Sequence, residues 1–299
     1  MLIALAANAT IAVAKAVGGL ISGSAGMLAE AGHSIADTTN QAFLFVSIGL
    51  SEREPTPERP FGHGQERFLW TFMAAVGMFV AGAAFAIGFG IYELVAGLGE
   101  TSEYGISYAV LGMSAAAEGT SWLRAYRQTS REAGEADKPL LEHVRTSRDP
   151  NVKMVLFEDT AALVGVVTAA LGVVLNQLTG SVYFDPAASV LIGLLLVAVA
   201  FWMGRDAKHF LVGWAAHPEE LDAIERTIES HEAVRTVEQL LTMVLGPNAL
   251  LVAARVDYRD DVDAGRIERA ATEIDRALRD AVPDVTEVFL DPTPADEAG

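Results

Sequence analysis

Residues 22–41 read SGSAGMLAEAGHSIADTTNQ. Small and apolar residues surround Glu30, His33 and Asp37 in this stretch, and the run stays mostly apolar to Leu50. Segment 25–50 is therefore long enough to cross a bilayer, yet it carries three ionisable groups. An ionisable side chain at mid-membrane costs about 2.5–3.5 kcal/mol, so its partner or cargo must compensate. At about 100° per residue, Glu30, His33 and Asp37 lie within about 60° of one another on one helix face. Asn40 and Gln41 continue that face. A polar stripe of this kind must face the interior of a helix bundle or a water-filled path. Imidazole and carboxylate at i and i+4 reach one ion, and they are the donor types of a divalent transition metal.

The rest of the chain fits a membrane protein with a soluble tail. Its 299 residues are 51% hydrophobic, and the mean hydropathy is +0.31. A spanning helix needs roughly 20 mostly apolar residues. Six segments qualify: 2–21, 25–50, 68–98, 105–123, 152–178 and 186–204. The first contains Lys15, the third Glu93, the fourth Glu118, the fifth Lys153, Glu158 and Asp159, and the sixth no charge. Residues 1–212 are thus expected to form a six-helix transmembrane domain. Residues 213–299 hold 20 acidic against 8 basic residues and read as a separate soluble domain.

Loop charges predict the orientation. Arg53, Arg59 and Arg67 fall in loop 51–67, and Arg124, Arg127, Arg131, Lys138, Arg145 and Arg148 in loop 124–150. The alternate loops 22–24, 99–104 and 179–185 have neither Lys nor Arg. The positive-inside rule puts both termini and the tail in the cytoplasm of a multi-pass cell-membrane protein. No basic leader or small-residue cleavage site precedes the first apolar run, so no removable leader is expected. Segment 129–150 is polar, with Gly134, Pro139 and Pro150, and reads as a linker.

In the tail, helical periodicity at 218–230 and 262–281 alternates with strand patterns at 234–245, 250–258 and 284–290. The first two strands flank a Gly246-Pro247-Asn248 turn. An α-β-β-α-β order of this size suggests a small ferredoxin-like domain.

Several function classes are excluded. With no cysteine there is no disulfide framework, thiolate zinc site or cysteine nucleophile. A net charge of -18 argues against nucleic acid as a partner. Neither a His-Glu-x-x-His pair nor a nucleophile motif supports an intramembrane hydrolase, so no enzymatic activity is expected.

Two ligands are too few for a metal site, so another helix must contribute. Asp159, with Glu158 beside it, is the donor at hand. Adjacent residues lie about 100° apart on a helix, so one of the two points fully at the ion. The competing reading is internal pairing, carboxylate to imidazole or carboxylate to Lys15, with nothing bound. Glu118 sits in AAAEGTS (115–121), where small residues favour close helix packing. It is read either as part of a metal or proton path or as a packing group. His63, between Gly62 and Gly64, is read as a loop-shaping residue or a ligand. Glu30 and Asn40 belong to the same possible path.

These residues carry a resemblance. The stretch from Ser22 to Asp37 resembles the second-helix signature of the cation diffusion facilitator (zinc transporter) family. Arg59-Pro-Phe-Gly-His63-Gly-Gln-Glu-Arg67 resembles its His-Pro-Phe-Gly-His-Gly-Lys-Ala-Glu loop motif. Leu156-Phe-Glu-Asp-Thr-Ala-Ala resembles the subgroup containing the mitochondrial, nuclear-receptor-coactivator zinc transporter of animals.

The resemblance implies six helices, cytoplasmic termini and a metallochaperone-like tail. It also implies a homodimer that exports divalent metal, zinc first, in exchange for protons. In that family two residues of helix two and two of helix five, four apart, hold the ion. His33, Asp37 and Asp159 match. The remaining position is Val155, and Glu158 is the available substitute. The loop site matches at His63 alone, its other histidine being Arg59. Of the tail's binuclear site Asp291 remains, the other positions falling on residues such as Glu238, Arg255 and Phe289. His209, His217 and His231 do not reproduce that pattern.

The expected chemistry is competition between protons and metal for the same donors. An imidazole ordinarily titrates near about 6.5, within the working range. No prosthetic group is expected, because the metal is cargo. Manganese, iron or cobalt remain alternatives to zinc, and a membrane metal sensor or scaffold without flux is the rival class.

Overall fold

The computed structural model describes residues 2–97, 103–135, 137, 139–146 and 150–293. The loop 99–102, Leu98, Lys138 and Arg148 lie outside the described residues, as do the side chains of Arg145, Lys153 and Val155. Two compact units emerge: residues 1–49 with 69–208, and 50–68 with 209–299. Composition assigned loop 51–67 to the membrane domain, whereas in the fold it packs with the tail.

The first unit is helical. Helix α1 (Leu2–Ser22) is followed by α2 (Ala25–Ser51). Next come α3 (Glu66–Gly77), a π-helical segment (Met78–Ala84) and α4 (Phe85–Ala96). Then follow α5 (Tyr104–Glu135), the short α6 (Leu140–Thr146), α7 (Pro150–Thr179) and α8 (Phe184–Val212). Among the described residues, three stretches are long and apolar enough to cross a membrane: Glu66–Ala96, Leu156–Thr179 and Phe184–Val212. Asn8–Ser22 is apolar but shorter. α2 and α5 are long enough, yet the charged and polar residues within them lower their hydropathy.

Polar groups are sequestered here and apolar ones displayed. Lys15, Glu30, His33, Ser34, Asp37, Asn40 and Glu158 are buried. Val13, Leu20, Val80, Val95, Leu171, Leu191 and Phe201 are exposed. This distribution suits a bundle solvated by lipid.

The predicted third span is one helical rod with a π segment at its centre. The backbone stays helical at Gly77 and at Phe85, on either side of that segment. Gly82 in the segment approaches Leu196 and Ala36, and Gly32 approaches Phe85 and the Ala81 carbonyl. Small residues on both helices therefore let α2 press its unstriped back face onto the π segment. The sequence placed the end of the fourth span at 123 and a linker over 129–150. α5 instead continues to Glu135, and α6 follows. Residues 124–135 are rich in Ala, Arg, Gln and Glu, good helix formers, and bury only Thr129 and Ala133, so they need no continuous apolar stripe.

In the second unit, α9 (Pro218–Glu229), β1 (Val234–Gly246), β2 (Ala249–Tyr258), α10 (Ala264–Ala281) and β3 (Val285–Pro292) follow the expected order. The sheet runs β1-β2-β3. β1 pairs antiparallel with β2, with Thr242 opposite Val252, and β2 pairs parallel with β3, with Ala254 opposite Leu290. The parallel pair is possible because α10 carries the chain back across the sheet. α9 and α10 bury Ile224, Ile228, Ile274 and Leu278 against Val244, Leu250, Val252 and Val256. Asp263 starts α10 by accepting the Arg266 N–H at 2.8 Å.

Loop 50–68 closes onto this domain. Phe68 stacks on Phe210 with ring centroids 4.7 Å apart, and Phe61 meets Phe289 edge-on. A Cβ at Gly64 would stand 2.5 Å from the Leu245 carbonyl oxygen, so only glycine permits this approach.

Candidate metal centre

The N-terminus of α2 is fixed before the stripe begins. Ser24 Oγ accepts the Met27 N–H at 3.2 Å and donates to Asp185 Oδ1 at 2.9 Å. Asp185, at the start of α8, also lies beside the N–H groups of Ala25 and Gly26. A buried carboxylate on a helix N-terminus satisfies free N–H groups and complements the helix dipole. It thereby ties α8 to α2 and sets where the stripe points.

Down that stripe, Glu30 is fully buried, and His33, Asp37 and Asn40 nearly so. Both ring nitrogens of His33 lack a hydrogen-bond partner, as do Asp37 Oδ1, Asn40 Oδ1 and Glu30 Oε1. Buried polar atoms are nearly always paired, so five free donor or acceptor atoms on one helix face are a strong anomaly.

α7 faces this stripe. Asn40 Nδ2 donates to both oxygens of Glu158, at 2.7 and 2.6 Å. Asp37 lies within hydrogen-bonding reach of Glu158, and the two carboxyls interact electrostatically. Asp159 turns toward α5 and accepts from Ser121 Oγ at 3.0 Å. It still feels the charges of Asp37 and Glu118. Glu158 thus points at Asn40 and Asp37 and Asp159 aside to Ser121, which separates the two neighbours as their helical offset requires. Among the described residues, no three His, Asp or Glu side chains already converge as a metal-holding group. Gathering these donors on one ion needs rotation of Glu158 away from Asn40 and of Asp159 away from Ser121.

Glu30 and Glu118 are engaged differently. Lys15 Nζ donates to Glu30 at 3.1 Å and to Glu118 at 3.3 Å, so internal pairing holds for these two and not for His33. Sequence reading missed Ser121, Ser34 and Asp185 as partners of this machinery. The available signal was spacing, with Ser121 one helical turn beyond Glu118 and Ser34 one turn beyond Glu30.

The other residues singled out in the sequence lie in the second unit. His63 Nε2 is buried without a partner and borders a cavity of about 560 Å³ that Arg59, Phe61, Met243 and Leu251 also line. Arg59 pairs with Glu66. Asp291 is exposed on β3 and faces Arg255 at 3.8 Å, a cation where a second donor would be needed. His231 pairs with Glu273, His209 packs edge-on to Trp214, and His217 caps α9.

A family model described as the cation efflux transmembrane domain matches residues 1–212. The chain belongs to the cation efflux, or cation diffusion facilitator, family. Among relatives in this family, the mitochondrial proton-coupled zinc antiporter of Xenopus laevis is 31% identical over 258 residues, 86% of this chain and 46% of the relative. Its Homo sapiens counterpart is 30% identical over 261 residues, 86% of this chain and 45% of the relative. The chain therefore spans somewhat under half the length of these two relatives. The manganese efflux system protein MneP of Bacillus subtilis is 23% identical over 295 residues, 98% of this chain and 94% of that protein.

Proposed function

We propose that this member of the cation efflux family exports a divalent metal ion in exchange for protons. Zinc is the first candidate cargo, in line with the zinc antiporters it resembles. The observation that carries the reading is His33. It is a buried imidazole with two free nitrogens, one helical turn before Asp37, and Asp37 is in electrostatic contact with the two α7 carboxyls Glu158 and Asp159. His33, Asp37, Glu158 and Asp159 form the transport set, with Glu158 supplying the donor that Val155 cannot.

Metal and protons then exclude each other. Ligation needs a neutral imidazole and ionised carboxylates, so loading releases protons and proton entry expels the ion. Asn40 holds Glu158 until metal takes over its oxygens. The π segment against Gly32 and Ala36 supports a shift of α2 during alternating access.

Six spans, cytoplasmic termini and residence in the cell membrane complete the reading. Residues 1–212 act as the transport domain. Residues 213–299 act as a homodimerising, regulatory domain that binds little metal at Asp291 because Arg255 is its neighbour. A manganese cargo is the second reading. Three carboxyls against one imidazole make an oxygen-rich set, and the manganese protein of B. subtilis matches nearly end to end.

The test is metal-dependent proton flux in proteoliposomes with zinc, manganese, iron, cobalt and cadmium. Saturable flux with one of these, lost in a folded Asp37→Ala variant, is expected. Flux retained by that variant overturns the site. No flux with any metal from folded wild-type protein overturns transport in favour of a non-transporting scaffold.

A further inference from the structure

Lys15 is the only charge in α1 and is fully buried. Its Nζ donates to Ser34 Oγ at 2.8 Å, Glu30 Oε2 at 3.1 Å and Glu118 Oε1 at 3.3 Å. Three N–H groups meet three oxygens, so the ammonium is saturated. The oxygens come from α2 and α5, and a fourth helix makes room for them. At Gly165 on α7 a Cβ would lie 2.1 Å from Glu30 Oε1, an oxygen that has no partner of its own. Two carboxylates, a hydroxyl and a bare helix face therefore surround a compact point charge. Oxygen cages of this kind are what hard cations select.

We infer that Glu30, Ser34 and Glu118 form a second cation site, occupied permanently by the chain's own Lys15 ammonium. The charge count supports it. Glu30 and Glu118 both pair with Lys15, and Glu118, Asp37, Glu158 and Asp159 are linked to one another through successive electrostatic contacts, so five carboxyl groups are opposed by one lysine. Without that lysine, an incoming divalent ion finds two acidic clusters to choose between. With it, the Glu30–Glu118 half is closed, and the ion is confined to the half containing His33 and Asp37. A lysine suits the task because its charge is compact and its stem spans from α1, so the occupant never exchanges with solution. Only the confinement of cargo rests on the transport reading; the cage itself does not.

The test counts bound metal on the purified full chain by equilibrium dialysis against zinc and, separately, manganese. Lys15→Met is expected to bind about one more divalent ion per chain than wild type. The gain should disappear in Lys15→Met/Glu30→Gln/Glu118→Gln. On an Asp37→Ala background the gain should persist. If Asp37→Ala binds as much metal as wild type while Lys15→Met still gains an ion, the transport-site assignment fails and the cage stands. A folded Lys15→Met with unchanged stoichiometry overturns the cage. Should Lys15→Met be recovered only with divalent metal present, its melting temperature must rise with metal concentration more steeply than wild type. Instability that neither metal nor the added Glu30→Gln/Glu118→Gln pair relieves would also overturn it.

Discussion

Gly165→Ala puts the packing around Glu30 under direct test. The new methyl would arrive 2.1 Å from Glu30 Oε1, whereas ordinary van der Waals contact begins at 3.4 Å. The carboxylate must therefore retreat by more than about 1 Å, in a core packed too closely to yield without cost. It cannot swing into solvent, because Glu30 is fully buried. Its bond to Lys15, already 3.1 Å long, would stretch past hydrogen-bonding range. A hydrogen bond to a charged group contributes about 1.5–3 kcal/mol. The better helix propensity of alanine returns about 1 kcal/mol, leaving a net loss of about 0.5–2 kcal/mol. The matched control is Gly112→Ala in α5, where an added Cβ meets nothing within 4 Å, so that variant should be neutral or slightly more stable. Apparent melting temperatures in detergent compare the two. A double-mutant cycle with Glu30→Ala isolates the clash, since a variant lacking the carboxylate has nothing to displace. The reasoning is refuted if Gly165→Ala melts with Gly112→Ala, or if its effect simply adds to that of Glu30→Ala.

Three further outcomes are expected. Asn40→Leu removes the amide that competes with the ion for both Glu158 oxygens, and metal affinity by calorimetry should rise about 10-fold, since a hydrogen bond to a charged group contributes about 1.5–3 kcal/mol. Unchanged affinity would show that Glu158 does not reach the ion. Gly64→Ala drives a methyl into the Leu245 carbonyl and should lift loop 50–68 off the tail. Faster trypsin cleavage at Arg53 and Arg67, with tail secondary structure intact by circular dichroism, is the expected readout, and an unaltered cleavage rate counts against the docking. Ile274→Ala hollows the tail core, where Ile274 is almost completely buried, and should destabilise that domain by about 2–5 kcal/mol in denaturant unfolding; a loss below 1 kcal/mol would mean the helix is not packed as described.

What the sequence made legible was what depends on local spacing. The α2 stripe follows from helical periodicity over eight residues. The tail's element order follows from alternation, a Gly-Pro-Asn turn and two amphipathic helices. Elements without an apolar signature stayed hidden: α5 beyond residue 123 is a mostly exposed, polar helix, and nothing in its hydropathy separates it from a linker. The π segment leaves no mark either, since Met78–Ala84 is as small and apolar as its flanks. Contacts across the bundle were out of reach for a different reason. Asn40 and Glu158 are 118 residues apart, and Lys15 and Glu118 103 apart. A lone lysine in an apolar helix announces that a buried anion must exist, but five carboxylates compete for it on charge alone. The choice is made by shape. Ser34 stands one turn beyond Glu30 on the same face and completes the ammonium's third bond, and Gly165 leaves Glu30 the room to meet it. Glu158 has no such freedom, because the Asn40 amide already holds both its oxygens. Lysine is therefore steered to Glu30 and Glu118, and His33 and Asp37 are left without a cation of the chain's own.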